Sequence, residues 1–88
     1  MPFVSVLWDQ DDDPDGNVQH CAKHRVSKEE VEEVLQNPID TDVSRSSGRP
    51  VAFGDTTAGR HLIVVYTVID ADTVRPITAY DVPKRKRP

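Results

Sequence analysis

One long apolar run, followed by a shorter alternating one, most constrains how this chain can fold. His61–Ile69 is nearly all apolar and rich in valine and isoleucine, which predicts a strand buried on both faces. Val74–Asp81 alternates, with Ile77 and Ala79 on one side and polar or aromatic residues on the other. Because only a short acidic turn separates the two strands, they are predicted to pair as an antiparallel hairpin.

The rest of the chain divides into short elements at its breaker residues. The predicted order is a strand at Phe3–Trp8, helices at Asn17–Arg25 and Ser27–Asn37, a weak edge strand or loop at Thr41–Ser47, and a strand at Pro50–Asp55. Ser27 stands three residues before Glu30, the spacing of a capping box, and Pro38 ends the second helix. This order indicates an α+β fold, in which a short N-terminal strand and two helices precede a three- to four-stranded antiparallel sheet with the helices on one face.

Residue spacing also predicts which side chains face the core. They are Val18, Cys21 and Ala22 on the first helix, and Val51 and Phe53 on the strand before the hairpin. The central strand is apolar at both odd and even positions. The sequence therefore leaves open whether Tyr66 and Tyr80 share a face of the sheet.

Composition limits the class of protein. The 88 residues suit one domain, assigned to 1–82, with the basic segment 83–88 as a disordered tail. The single cysteine, Cys21, allows no internal disulfide, and no leader or membrane span is recognised, so a cytoplasmic protein is predicted. Up to Asp42 there are eleven acidic and three basic side chains, and beyond it four acidic and eight basic ones. A basic half of this kind suits either phosphate or plain solvent.

A series of short motifs, in one order, resembles a known family. The series runs Trp8-Asp9, Asn17, Lys23-His24, Val26-Ser27 and Glu29-Glu30, then Gly59-Arg60, the Val64–Thr67 strand, Arg75 and Ile77–Ala79. It is similar to the BrnT family of bacterial type II toxins. The resemblance implies a compact RelE-like fold, metal-independent RNA cleavage and a cognate antitoxin that also binds DNA. The chain departs from the family at Arg25, where a glycine is usual, at Tyr80, where arginine is common, and in its short basic end.

Cleavage of RNA without a metal needs a general base, a general acid and cations that stabilise the phosphorane. The candidates for proton transfer are His24 and, four residues earlier, His20, because imidazole titrates nearest neutrality. The resemblance implies that Arg60 and Arg75 bind phosphate, and Tyr80 can stack on a base or donate its hydroxyl. Further RNA-binding candidates are Arg45, Arg49, Lys84 and Arg85.

Other functions remain open on the sequence alone. Asp11, Asp13, Asp15 and Gly16 spell the opening of a calcium loop, but Ala22 stands where the bidentate glutamate belongs. A zinc site at His20, Cys21 and His24 lacks a fourth ligand, so no metal and no cofactor are assigned. The main hypothesis is a BrnT-like ribonuclease toxin held by a DNA-binding antitoxin. The alternative is a non-catalytic module whose open sheet face is covered by a protein partner.

Overall fold

The computed structural model describes residues 5–45 and 47–82, which form a five-stranded sheet with two helices. The elements are β1 (Ser5–Val6), α1 (Asn17–Lys23), α2 (Lys28–Gln36), β2 (Asp40–Val43), β3 (Pro50–Asp55), β4 (His61–Val68) and β5 (Thr73–Asp81). The strand order is β1-β5-β4-β3-β2, in which β2 to β5 are antiparallel and β1 runs parallel to β5. The predicted α+β fold is confirmed, with one parallel edge strand added.

Both helices pack on the same face of the sheet, α1 against β5 and α2 against β3 and β4. The hydrophobic core lies between these layers; its members are Cys21, Val26, Val31, Val34, Leu35, Ala52, Leu62, Val64, Tyr66, Val74 and Ala79. Neither helix is long and apolar enough to cross a membrane, in the part of the chain that the structure describes. Within residues 5–45 and 47–82 no helix packs on the other face of the sheet, which is called the open face below.

The central strand β4 is buried on one face only, so the prediction of burial on both faces is wrong. Leu62, Val64 and Tyr66 are buried beneath the helices, and the residues between them are half-buried. The residues between them, Ile63 and Val65, are apolar as well, and neighbouring side chains on the open face shield them in part from solvent. Tyr80 pairs with Ile63 and therefore lies on the open face, opposite to Tyr66.

On β3 the predicted orientation is also wrong, because Ala52 and Gly54 face the helices. Ala52 belongs to the core, and a Cβ added to Gly54 would lie 3.2 Å from the Cγ1 of Val34 on α2. Val51 and Phe53 alternate with these residues and so lie on the open face. Small residues on the inner side let α2 approach the sheet closely, a requirement that a search for large apolar residues misses.

A β-bulge interrupts the alternation of β5. Val65 pairs with Thr78 and the next residue, Tyr66, pairs with Pro76, which leaves Ile77 as an extra residue on β5. Pro76 and Ala79 are both buried although they are three residues apart. The simple alternation predicted for this strand, with Ile77 and Ala79 on one side, is therefore wrong at the bulge.

Helix α1 buries Asn17 and Cys21, whereas Ala22, predicted for its apolar face, is exposed. The helix ends two residues earlier than predicted, in a Schellman motif: Val26 N–H donates to the Cys21 carbonyl at 3.0 Å and Arg25 N–H to the Ala22 carbonyl at 2.9 Å. This motif places Arg25 at φ 60°, in the left-handed region that favours glycine.

Local signals around α2 and β2 are well matched by the structure. Ser27 is the N-cap of α2, and Ser27 and Glu30 form the predicted capping box. The ambiguous segment contains the edge strand β2, which is exposed along its whole length. Of the predicted strand at Phe3–Trp8, Ser5–Val6 pairs with β5; residues 3–4 and the tail 83–88 lie outside the described part.

Candidate functional site

An open pocket of about 450 Å³ lies at the end of β5, lined by His24, Thr78, Tyr80 and Asp81. The ring centroids of His24 and Tyr80 are 5.7 Å apart, with the rings tilted by 52°. Thr78 and Tyr80 point from the open face, and His24 caps the C-terminus of α1 beside β5. Two of the predicted catalytic residues, His24 and Tyr80, therefore meet in one pocket.

Arg60, at the start of β4, is tied to both sides of this pocket. Its Nε donates to one carboxylate oxygen of Asp81 at 3.0 Å and its Nη2 to the other at 2.9 Å. Its Nη1 donates to Glu30 at 2.8 Å and to the carbonyl of Arg25 at 2.6 Å, and Nη2 lies 3.5 Å from the carbonyl of His24. Arg60 thus joins the end of α1, the start of α2 and the end of β5.

These bonds occupy the guanidinium of Arg60. Its hydrogen bonds to Asp81, and then the charge and hydrogen bond of Glu30, raise the pKa of Arg60 above its ordinary value. In return, Arg60 lowers the pKa of Asp81. A phosphate that bound this guanidinium would compete with the Asp81 carboxylate, whose side chain is 61% exposed.

Arg75 lies elsewhere on β5 and pairs with the chain after β1. Its Nη2 is 2.6 Å from Oδ2 of Asp9, and its side chain is one-third exposed. Tyr80 is five positions further along β5, which corresponds to roughly 15 Å along the strand. Arg75 does not line the pocket, but by register with Thr67 it lies on the same open face.

Asn17 organises the chain around that ion pair. Its side chain is buried and donates to the carbonyls of Leu7 and Pro76 at 3.0 and 2.9 Å. Its Oδ1 accepts from the N–H of Asp9 at 2.8 Å, while its own N–H donates to the Asp9 carboxylate. This last bond, with the contribution of Arg75, lowers the pKa of Asp9. The role of Asn17 is structural, a role that its position in the resemblance does not indicate.

The remaining basic candidates are not at the pocket. Arg45 and Arg49 are exposed in the turn between β2 and β3. That turn lies at the end of the sheet marked by the pair Val51 and Val65, whereas Tyr80 lies towards the other end and two strands away from β3. Lys84 and Arg85 lie outside the described residues.

A histidine that sequence reasoning missed occupies the open face beside the pocket. His61 Nδ1 is 2.7 Å from Oδ1 of Asp55, its direct neighbour across β3 and β4. The ring of His61 also stacks near that of Phe53, with 6.5 Å between centroids and a 19° angle between planes. Sequence alone gives no signal for this pair, because it depends on strand register.

Potential metal ligands do not converge within residues 5–45 and 47–82, where no group of three or more His, Cys, Asp or Glu side chains is placed to hold an ion. In the acidic loop, Asp11 pairs with Lys28 at 3.1 Å and Asp13 accepts from the N–H of Asp15. Cys21 is buried, and burial raises the pKa of its thiol to about 11. At that pKa Cys21 is an inert core residue rather than a nucleophile.

No curated protein and no solved structure matches the chain. A family model described as "Ribonuclease toxin, BrnT, of type II toxin-antitoxin system" matches residues 12–86, which include every residue of the pocket and of the Arg60 cluster. Membership of a type II toxin family implies an antitoxin partner and an RNA substrate. The chain therefore belongs to the BrnT family of ribonuclease toxins.

Proposed function

We propose that this chain is a metal-independent endoribonuclease toxin of the bacterial cytoplasm and that its active site is the pocket around His24 and Tyr80. The observation that carries the proposal is the juxtaposition of an exposed imidazole and a phenol at one open pocket, beside a guanidinium, that of Arg60, which is bonded to the pocket residue Asp81, in a chain of a ribonuclease family. Exposure matters because RNA must reach the imidazole directly. Catalysis by side chains alone leaves the rate unchanged in a metal chelator.

The proposed reaction is attack of the ribose 2′-OH on the adjacent phosphorus. His24 exchanges a proton with the reacting oxygens, a role that imidazole can perform near neutral pH. The ring of Tyr80 offers a surface on which a base adjoining the scissile phosphate can stack, and single-stranded RNA is commonly recognised in this way. The tilted contact between the two rings brings proton transfer and base recognition to the same nucleotide.

Arg60 has two roles in this proposal. Through the carbonyls of Arg25 and His24 it positions the backbone that carries the imidazole. When RNA binds, a phosphate takes the place of the Asp81 carboxylate on the guanidinium fork, whose geometry matches both anions. Arg60 thus changes from a structural residue to a phosphate-binding one.

Arg75 binds a more distant part of the RNA in this proposal. It shares the open face with Thr78 and Tyr80, so a single strand that follows β5 away from the pocket passes over it. The ion pair with Asp9 holds its guanidinium ready at the edge of the sheet. Arg45 and Arg49, at the far end, are assigned to non-specific attraction of RNA, as are Lys84 and Arg85 of the tail.

The antitoxin is proposed to be a DNA-binding protein that covers the open face. Apolar side chains of β3 and β4 form a continuous strip there, in which Phe53, Ile63 and Val65 are half-buried and Val51 is already buried, and no helix of the described chain covers it. A partner on this strip also blocks access to Tyr80, which pairs directly with Ile63. The same strip supports the alternative function, a module that binds its partner without cutting RNA.

The test is expression from a tightly controlled promoter, with growth and the integrity of total RNA as readouts. The folded wild-type chain is expected to arrest growth and degrade RNA. His24→Ala is expected to lower cleavage of purified RNA by about 10²–10⁴-fold, the usual worth of an acid–base residue. His20→Ala is the matched control, because His20 is exposed on α1 and does not line the pocket.

The outcomes separate the two functions when circular dichroism shows that each variant is folded. Cleavage by the wild type and by His20→Ala, with loss in His24→Ala, supports the ribonuclease site. Cleavage that survives His24→Ala within a few-fold contradicts the assignment of this imidazole. Intact RNA in the presence of folded wild-type protein favours the binding module.

A further inference from the structure

A second imidazole, oriented by a carboxylate, stands on the open face near the pocket. His61 Nδ1 lies 2.7 Å from Asp55 Oδ1, and the side chains are 18% and 38% exposed. Because the pair joins directly opposed residues of β3 and β4, rigid backbone holds both partners. The stacked ring of Phe53 further restricts how the imidazole can turn.

The hydrogen bond to Asp55 decides which nitrogen of His61 is available. A carboxylate accepts, so the neutral imidazole places its proton on Nδ1 and leaves the lone pair of Nε2 unshared by Asp55. This is the orientation that a carboxylate imposes on the base of a catalytic triad. The arrangement suits a general base, because the hydrogen bond fixes the orientation of the ring and leaves Nε2 to accept a proton.

The position of His61 relative to Tyr80 follows from strand register. Tyr80 is directly opposite Ile63, and His61 precedes Ile63 by two residues on the same face. Such diagonal neighbours on adjacent strands lie about 7–8 Å apart. His24 contacts Tyr80 from the helix that flanks β5, whereas His61 approaches from the central strand. Tyr80 is therefore flanked by two imidazoles on different sides.

In-line cleavage of RNA needs proton transfer on both sides of the phosphorus. The attacking 2′-oxygen loses a proton on one side, and the leaving 5′-oxygen gains one on the other. Resting on the proposed function, we propose that His61 is the general base of this reaction and that His24 is the acid, with Asp55 as the residue that positions His61. The O2′–P bond forms, the P–O5′ bond breaks, and the products are a 2′,3′-cyclic phosphate and a 5′-hydroxyl.

The charged groups around His61 come from three neighbouring elements. Asp55 faces it from β3, Tyr80 and Asp81 lie next to its partner position on β5, and Arg60 precedes it on the chain. Asp40 of β2 lies one strand further on the same face, opposite Phe53. Asp81 is engaged by Arg60, which leaves Asp55 as the carboxylate bonded to the imidazole.

The experiment measures kcat/KM for a short single-stranded RNA, labelled at its 5′ end, between pH 4.5 and 9 in wild type, His61→Gln and Asp55→Asn. The wild type is expected to give a bell-shaped profile, whose acid side reports the base and whose alkaline side reports the acid. His61→Gln is expected to lose the acid side and about 10²–10⁴-fold in rate. Asp55→Asn is expected to lower kcat/KM by more than about 10-fold, because the imidazole loses the carboxylate that orients it.

His20→Gln is the control for these variants and is expected to keep the wild-type profile. If His61→Gln keeps the wild-type pH profile and a kcat/KM within three-fold of wild type, the inference is overturned while the proposed function stands. Wild-type protein that cleaves no RNA overturns both. If His61→Gln does not fold, Asp55→Asn decides alone, because a merely structural carboxylate changes the stability and leaves the kcat/KM of the folded protein unchanged.

Discussion

At the scale of single residues, polar side chains in this small protein serve structure and chemistry together. Asn17 hydrogen-bonds two carbonyls and one N–H, of which the Pro76 carbonyl is buried and the other two groups are partly buried. One of these carbonyls belongs to Pro76, next to the bulge at Ile77, where the regular ladder is interrupted. Asn17 therefore holds the strand that carries Tyr80 in its irregular course.

Asn17→Ala is expected to lower the free energy of unfolding by about 2–4 kcal/mol, because each buried group left unsatisfied costs about 1–3 kcal/mol. Urea denaturation followed by circular dichroism measures the change. Gln19→Ala, on the same helix, removes a single exposed hydrogen bond to the Asp11 carbonyl and is expected to cost less than about 0.5 kcal/mol. A loss below 1 kcal/mol in Asn17→Ala would show that water replaces the amide.

At the scale of elements, local chemistry is readable from sequence and register is not. The capping box of α2 depends on Ser27 and Glu30 alone, so it was predictable. The faces of β3 and the bulge of β5 depend on what lies opposite, so Val51 and Ile77 were misplaced. The same limit applies to the site: the resemblance supplied His24, but the pair of His61 with its carboxylate needed the structure.

The end of α1 combines a regular motif with an unfavourable residue. Arg25 adopts φ 60° at the position after the C-cap, where the family usually has glycine. The left-handed conformation costs about 1–2 kcal/mol for a residue with a Cβ. A glycine at this position would avoid that cost, but the greater conformational freedom of glycine in the unfolded chain would offset part of the gain in stability. The local strain lies directly beside His24, the proposed acid.

Arg25→Gly is expected to raise the free energy of unfolding by about 1 kcal/mol, which corresponds to about 4–8 °C in Tm for a domain of this size. Thermal denaturation provides the measurement. Lys23→Gly places the same residue in the last helical position and is expected to lower the stability by about 1 kcal/mol. Equal destabilisation by both substitutions would contradict the conformational explanation.

At the scale of the whole molecule, ion pairs join elements that are distant in sequence. Arg60 links α1, α2 and β5, and Arg75 links β5 to the chain after β1. Valine is the most frequent residue in the core beneath them, and Leu35 and Leu62 are the largest aliphatic members of that core. Because the core is small, ion pairs at the surface that connect elements are expected to contribute measurably to the stability of the fold.

Acid is therefore expected to weaken the fold through Asp9 and Asp81, whose pKa values are lowered below that of an ordinary aspartate by their hydrogen-bond and charge partners. The unfolded chain binds protons at a higher pH than the folded chain does, so this stabilisation is complete above about pH 4 and is lost as pH falls further. Urea denaturation at pH 6 and pH 3 tests this. Asp81→Asn should lose less stability than wild type between these values, and an equal loss would contradict the assignment.

Arg60 is already paired with the Asp81 carboxylate in the folded protein, and this pairing is expected to change how RNA binding depends on salt concentration. Ordinarily, each RNA phosphate that is neutralised by a protein cation releases counterions, and binding to single strands weakens by roughly 0.7 logarithmic units per contact for each tenfold rise in salt. In the proposed site a phosphate replaces Asp81 on Arg60, and the freed carboxylate is then expected to attract cations of its own. The protein would then take up part of the ions that are released from the RNA. Binding at this pocket is therefore expected to depend on salt less steeply than binding to an arginine that has no carboxylate partner.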